Sequence, residues 1–337
     1  MLYIRTDMNP IIATGHVMRC LAIADAAKSM GEDSIFILAD NQAAELLEKR
    51  GYSYMILNMP WDHMDNELPV LEKVIKDYHI KRILIDSYQV TEKYLSSLTL
   101  LVQTYYIDDM NSFFYPVTGI ICYANYWKQF QYSDRYKKTE LYLGTKYAPL
   151  RTAFCNCKRK KINAQIEKIL LLSGGADNYQ VLNQILERLD FSLYQQVNVV
   201  CGQYNKQYDY LKEKNKSYTN VHIYKSVSNI EQLMIDADVT VSAGGTTLYE
   251  LCAVGTPTIS YVIADNQIKN VKQFHEDGII AYAGDIRTDN VISNILKYLE
   301  LYANQNIRYK KSEKMQKLID GKGAFRIAES LIRNRSV

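Results

Sequence analysis

The feature that most constrains the fold is an alternation of short, continuously apolar runs with segments of helical periodicity. In the first half, Leu2–Thr6, Ser34–Leu38, Tyr54–Leu57, Arg82–Asp86 and Gln103–Ile107 read as strands. His16–Met30, Asn41–Arg50, Leu68–Tyr78 and Glu92–Leu101 read as the helices between them. The second half repeats the theme, with strands at Lys168–Ser173, Gln196–Cys201, Val221–Tyr224, Val239–Val241 and Pro257–Val262. Its helical patterns are Tyr179–Leu189, Gln207–Lys214, Ile230–Ile235, Leu248–Val254 and Gln267–Asp277. A strand that is apolar throughout, rather than at alternate positions, is covered on both faces, as in a parallel sheet. Strand–helix order repeated twice predicts an α/β protein of two doubly wound, Rossmann-like domains. The 337 residues suffice for two separate cores. The expected division is 1–145, a linker over 146–161, 162–302, and a C-terminal helical segment over 303–337. Phe113–Tyr142 reads as aromatic and irregular, and Lys158-Arg159-Lys160-Lys161 as a solvated linker or helix lead-in.

Charge excludes some functions. The 40 Lys+Arg nearly balance 37 Asp+Glu, leaving a net charge of +3 that does not suit a protein coating nucleic acid or an anionic membrane. No run approaches the ~20 apolar residues of a membrane-spanning helix. Cys155 and Cys157 form a lone C-x-C without a second pair, so no zinc site is expected, and none for any other metal. The N-terminus opens on a strand-like segment, which with scattered cysteines predicts a cytoplasmic chain with reduced thiols. Tyrosine is abundant, 28 against 8 Phe and 2 Trp. Lys, Asn and Ile are frequent too, so most tyrosines read as compositional background.

Ligands of open α/β sheets collect where strands end and helices begin, which directs attention to four loops. After the first strand comes Thr14-Gly15-His16-Val17-Met18-Arg19. The helix dipole disfavours an imidazolium at the first turn, so His16 is expected neutral and able to accept a proton; a polar cap is the plainer alternative. Ser173-Gly174-Gly175-Ala176-Asp177 exposes backbone N–H groups that suit a diphosphate, although a simple tight turn has the same look. Ser242-Ala243-Gly244-Gly245-Thr246-Thr247-Leu248-Tyr249-Glu250 adds hydroxyls at a helix start. Glu250 lies one turn in, where its carboxylate can accept from a ribose diol or serve only as a first-turn acid. Ala264-Asp265-Asn266-Gln267 supplies amides suited to sugar hydroxyls and acetamido groups, or a helix cap. Asp108-Asp109 read as loop acids, or at most as sugar contacts. The phosphate loop of nucleoside triphosphatases, the dinucleotide fingerprint after the first strand and the esterase nucleophile elbow are all missing from the sequence.

Together these motifs resemble the nucleotide-sugar hydrolases of pseudaminic acid biosynthesis and the related spore-coat polysaccharide proteins. The resemblance begins with Arg5-Thr6-Asp7 and Gly15-His16-Val17-Met18-Arg19-Cys20-Leu21-Ala22. It continues through Ile85-Asp86-Ser87-Tyr88, Tyr147-Ala148-Pro149-Leu150-Arg151 and the two glycine loops. Gly255-Thr256-Pro257, Asp265-Asn266-Gln267 and Asp320-Gly321-Lys322-Gly323-Ala324 complete it. Phe113–Tyr142 and Arg308–Lys317 carry none of these motifs.

The resemblance implies a glycosyltransferase-B architecture with two domains facing a cleft. It implies hydrolysis of UDP-2,4-diacetamido-2,4,6-trideoxy-β-L-altropyranose to UDP and free sugar, by water at the anomeric carbon, with inversion and without cofactor or metal. Carried over by position, His16, Tyr88 and Asn266 would be catalytic. Gly174, Gly175, Gly244, Gly245, Thr246, Thr247 and Glu250 would hold UDP. Asp7, Gly15, Arg19, Asp86 and Gln267 would meet the sugar. Two alternatives stand beside this: an inverting UDP-sugar glycosyltransferase of the same fold, and a non-enzymatic nucleotide-sugar-binding subunit.

Overall fold

A computed structural model describes residues 1–227 and 229–333. The chain divides into two compact units, one of Met1–Thr152 with Gly321–Val337, the other of Ala153–Asp320. Both are α/β with one parallel sheet, the architecture of the glycosyltransferase-B fold. No helix among the described residues is long and apolar enough to cross a membrane.

The first unit runs β1 (Leu2–Thr6), α1 (Gly15–Ser29), β2 (Ser34–Leu38), α2 (Ala44–Lys49), β3 (Ser53–Ile56), α3 (Leu68–Asp77), β4 (Arg82–Asp86), α4 (Glu92–Thr99) and β5 (Gln103–Ile107). It continues with β6 (Gly119–Cys122), α5 (Tyr132–Arg135) and β7 (Glu140–Leu143). Its sheet order is β3-β2-β1-β4-β5-β6-β7, parallel throughout. The order reverses between β1 and β4, so the loops after those two strands flank the switch point, where an open sheet leaves a crevice.

Phe113–Tyr142, expected irregular, contributes β6, β7 and a packed aromatic cluster. The strands are only four residues long, too short to show a period. The Asp108 carboxylate organises the cluster. It accepts from the Tyr115 hydroxyl at 3.0 Å, from the Tyr132 hydroxyl, and from the backbone N–H groups of Met110 and Asn111. The tyrosines here bury ring and hydroxyl alike, so several belong to the core rather than to background.

The second unit runs β8 (Lys168–Leu172), α6 (Val181–Leu186), β9 (Gln196–Cys201), α7 (Tyr208–Lys214), β10 (Val221–Lys225), α8 (Ile230–Asp236), β11 (Val239–Ala243) and α9 (Thr247–Val254). Then follow β12 (Thr258–Val262), α10 (Asp265–Glu276), β13 (Ala281–Asp285), α11 (Val291–Tyr302) and α12 (Gln305–Leu318). Its sheet order, β10-β9-β8-β11-β12-β13, reverses between β8 and β11. The strand β13, Ala-Tyr-Ala-Gly-Asp, escapes sequence reading because its residues are small and polar.

The basic stretches are structural. Arg308 is buried, its Nε donating to the Tyr302 carbonyl at 2.7 Å and its Nη2 to the Ala164 carbonyl at 2.9 Å. Lys311 and Lys314 donate to the Ile280 and Asp277 carbonyls at 3.1 and 3.0 Å, near the end of α10, where cations are favoured. The run Lys158–Lys161 is largely exposed, as a solvated segment is, but is tied down by local bonds. Its Arg159 pairs with Glu313 at 2.6 Å, and the Lys158 carbonyl accepts from Gln316 Nε2 at 2.9 Å. Lys160 Nζ donates to the Ala237 carbonyl at 2.7 Å.

The helical segment expected at 303–337 is split: α12 stays in the second unit, while α13 (Gly323–Arg333) belongs to the first. Its buried residues Ala324, Ile327, Ala328 and Leu331 recur at helical spacing and pack on α1. A Cβ on Gly323 would lie 2.1 Å from the Ala148 carbonyl oxygen, so α13 starts flush against Tyr147-Ala148. Two of the motifs that carried the resemblance are therefore one contact. Ile327→Ala leaves a cavity beneath α1 and is expected to destabilise the first unit by about 2–5 kcal/mol, read as a lowered midpoint in urea.

The turn after β8 rests on Asp177, whose carboxylate accepts from the N–H groups of Val181 and Leu182 at 2.8 and 3.2 Å. Burial pushes its carboxyl up to about 6 against the lowering effect of those bonds. A raised folded value makes its contribution greatest below about pH 4 and lost as pH rises through about 6. Relative to Asp177→Asn, the wild-type chain should lose on the order of 2–3 kcal/mol between pH 4 and 7. Denaturation curves of both proteins across that range measure it.

Candidate active site

In the first unit, the loop after β1 and the end of β4 converge on one buried cluster. His16 is the second residue of α1 and is buried. Its Nδ1 lies 2.7 Å from Asp86 Oδ1, at the last residue of β4. Arg19, one turn along α1, sends Nε to Asp86 Oδ2 at 2.6 Å and Nη2 to Asp86 Oδ1. Cys20 Sγ approaches the same carboxylate at 3.4 Å.

Burial pushes the Asp86 carboxyl up, but the charge of Arg19, then the neighbouring His16 and the hydrogen bonds from both, hold it well below the usual carboxylate range. An ionised carboxylate only accepts, so the 2.7 Å contact requires the proton on His16 Nδ1. Arg19 Nη2 also lies 3.0 Å from that nitrogen and, as a donor only, would bond to it only if Nδ1 carried no proton; the shorter contact to the carboxylate assigns the proton to Nδ1. In the neutral ring the lone pair is then on Nε2, the arrangement of a base oriented by an acid. Sequence reasoning had only the helix dipole for this; the partner that fixes the tautomer is 70 residues away in the chain.

Around this pair sit two more groups. Tyr88 packs edge-on against His16, ring centroids 4.7 Å apart and planes at 80°, and donates its hydroxyl to Asp109 Oδ2 at 2.9 Å. Burial, then the Asp109 charge, pushes the Tyr88 phenol well above its ordinary value. Arg19 Nη1 reaches the Tyr123 hydroxyl at 2.7 Å and Asp109 Oδ2 at 3.4 Å. Asp109 and Tyr123 are the residues that sequence reasoning undervalued or missed, since neither stands in a motif.

Of the residues assigned to the sugar, Arg19 and Asp86 fall in this cluster, occupied mainly with each other and His16. Gly15 opens α1 with open space where a side chain would be. Asp7 goes elsewhere: it accepts from the Ala39 N–H at 2.7 Å and pairs with buried Arg5, which is also bidentate to buried Glu67.

In the second unit the glycine loops again follow the switch-point strands. Gly174 has φ +79°, and Gly174 and Gly175 are exposed. The loop after β9 packs directly on them, for a Cβ on Gly202 would lie 2.2 Å from the Gly174 carbonyl oxygen. After β11, Gly244 sits tightly under α10, with Val271 Cγ2 2.1 Å from where its Cβ would be. Its carbonyl accepts from Asn270 Nδ2 at 3.2 Å, and Tyr249 donates to Asn270 Oδ1 at 2.8 Å. Gly245 faces open space, Thr246 is exposed, and Thr247 and Glu250 form the first turn of α9, both partly buried. Asn266 is exposed in the first turn of α10, while Gln267 Oε1 accepts from the Ile263 N–H at 3.0 Å. Gly202, Tyr249 and Asn270 are the positions here that the sequence did not single out.

Comparison with known proteins agrees with this division. A bifunctional protein of Helicobacter pylori (strain ATCC 700392 / 26695), a pseudaminic acid cytidylyltransferase and UDP-2,4-diacetamido-2,4,6-trideoxy-β-L-altropyranose hydrolase, is 26% identical over 79% of this chain and 45% of its own length. The UDP-N-acetylglucosamine–N-acetylmuramyl-(pentapeptide) pyrophosphoryl-undecaprenol N-acetylglucosamine transferase of Campylobacter jejuni (serotype O:23/36, strain 81-176) is 31% identical over 41% of this chain and 42% of its own. The chain spans about half the length of the curated relatives it matches. The crystal structure of Acinetobacter baumannii MurG superposes with a TM-score of 0.72 at 12% identity, covering 98% of this chain and 99% of that one. The chain thus has the glycosyltransferase-B fold, and its residues 169–322 match the glycosyltransferase family 28 C-terminal domain.

Proposed function

We propose that the chain is a nucleotide-sugar hydrolase that releases UDP and a free amino sugar, with UDP-2,4-diacetamido-2,4,6-trideoxy-β-L-altropyranose as the substrate favoured by the resemblance. The observation that carries this reading is the buried His16–Asp86 pair, which leaves Nε2 as a base at the switch point of the first unit. His16 takes a proton from water as it attacks the anomeric carbon with inversion. Tyr88 and Asn266 help hold the sugar. The loops containing Gly174, Gly175, Gly244, Gly245, Thr246, Thr247 and Glu250 hold UDP, where backbone N–H groups and the start of α9 stabilise the departing diphosphate. No metal is needed for a leaving group stabilised in this way. Asp86 and Arg19 act behind His16 rather than on the sugar, as their bonding to each other indicates. The reaction feeds nonulosonic acid synthesis in the cytoplasm.

A second reading, an inverting glycosyltransferase in which a hydroxyl replaces water, is favoured by the 31% identity to the N-acetylglucosamine transferase. UDP release from a panel of UDP-amino sugars, with EDTA present and no acceptor, separates the two. Turnover there supports hydrolysis, and turnover only with an added acceptor supports transfer. His16→Phe is expected to lower UDP release by about 10²–10⁴-fold while UDP still binds by calorimetry. Near wild-type turnover in that variant would remove His16 from the chemistry. In ¹⁸O-water the label should appear in the sugar; label in UDP would mean attack at phosphorus.

A further inference from the structure

The cluster around Arg19 fixes protons as well as positions. One guanidinium binds both oxygens of Asp86 and touches Asp109, and each carboxylate receives the proton of a neighbouring functional side chain. His16 gives its Nδ1 proton to Asp86 at 2.7 Å, and Tyr88 gives its only hydroxyl proton to Asp109 at 2.9 Å. A carboxylate cannot return a proton to either. What remains available to a ligand is therefore an acceptor on each: the Nε2 lone pair of His16 and a lone pair on the Tyr88 oxygen. The two rings stand edge-on with centroids 4.7 Å apart, which puts both acceptors in one neighbourhood.

From this we infer, resting on the hydrolytic reading, that Asp109 and Arg19 are positioning residues that make His16 and Tyr88 a pair of acceptors, and that the pair selects a nucleophile with two protons over one with a single proton. Water satisfies both acceptors and keeps a lone pair for the anomeric carbon. An alcohol has one proton, so it leaves either buried His16 or half-buried Tyr88 without a donor from the nucleophile, at a cost in rate of roughly 5- to 100-fold. In the step itself, the water oxygen bonds to the anomeric carbon. The bond from that carbon to the UDP oxygen breaks, and its electron pair leaves on the diphosphate. One water proton passes to His16 Nε2. The other stays on the new anomeric hydroxyl, directed at Tyr88, and the imidazolium then returns its proton to solvent.

The test is nucleophile partitioning in the intact protein. A UDP-amino sugar that the wild type hydrolyses is incubated in buffer containing a fixed fraction of methanol, and methyl glycoside and free sugar are quantified from one sample. The wild type should give far less methyl glycoside than the mole fraction of methanol. Tyr88→Phe removes the second acceptor and should raise the glycoside-to-sugar ratio roughly 5- to 100-fold while total UDP release falls. Asp109→Leu, which frees the Tyr88 proton to be donated to an alcohol oxygen, should raise the ratio in the same direction although the phenol is still present. Because both products come from the same folded molecules, partial loss of fold scales them equally and leaves the ratio intact. Ratios unchanged from wild type in both variants would overturn the inference with hydrolysis still standing. Failure of the wild type to release UDP from any UDP-amino sugar without an acceptor would overturn the hydrolytic reading itself, and the inference with it.

Discussion

When the chain leaves β3 and returns to the far side of β1 to lay down β4, the helices that follow β1 and β4 fall on opposite faces of the sheet. That reversal leaves the carboxyl ends of the two strands uncovered by their own connections. The same event recurs between β8 and β11. In each unit, the residues with chemical potential sit on the loops this reversal exposes: His16 and Asp86 in the first, Gly174–Gly175 and Gly244–Glu250 in the second. The sites follow from the winding order before any individual side chain is considered. The side chains then decide what the two openings do.

In the first unit the opening is lined by charge taken out of water. Asp86 and Arg19 are nearly inaccessible, as are Arg5 and Glu67 nearby. Desolvating such ions costs several kcal/mol each, and only close, multiply bonded geometry offsets it. Arg5 meets that demand with two bonds to Glu67 and one to Asp7, and Tyr94 adds a hydroxyl to Glu67 at 2.6 Å. The Arg5 network ties β1 to the segment before α3 and, through Asp7, to the end of β2. The Arg19 network does the equivalent for α1, β4 and the loop after β5. Such pairs add little net stability, but they forbid alternative rotamers, because any displaced member would be a buried ion without a partner. Rigidity at the loop ends is what a base needs if its lone pair is to point in one direction.

Continuous apolar strands made the doubly wound halves readable, and glycines before helices marked the loops of the second unit. What stayed hidden depended on contacts between distant segments. Asp86 was assigned to the sugar by position in a motif, and its bonding instead goes to Arg19 and His16, 67 and 70 residues earlier. Asp109 was discounted as a loop acid because Tyr88 is 21 residues away and meets it only once β4 and β5 pair. The strands β6 and β7 were lost among tyrosines whose role, closing over Asp108, no local pattern encodes. Arg308 stood in a stretch without a motif, and its guanidinium is buried against backbone carbonyls. In each case the missing information was the partner.

The two units also carry different kinds of information about function. What the second unit offers a ligand, on the proposed reading, is mainly backbone: glycines that admit close approach and helix starts that present N–H groups. Backbone features of this kind tolerate change in the surrounding sequence, and it is this unit that matches the glycosyltransferase family 28 C-terminal domain. Recognition of that unit therefore says which kind of leaving group a protein can hold and little about what attacks. On the proposed hydrolytic reading the attacking side is specified by side chains of the first unit: a histidine, its carboxylate and a neighbouring tyrosine. Hydrolysis and transfer share the fold, so on the same reading the distinction between them is sought in the donors and acceptors around His16, whose partners in this chain are Asp86 and Arg19.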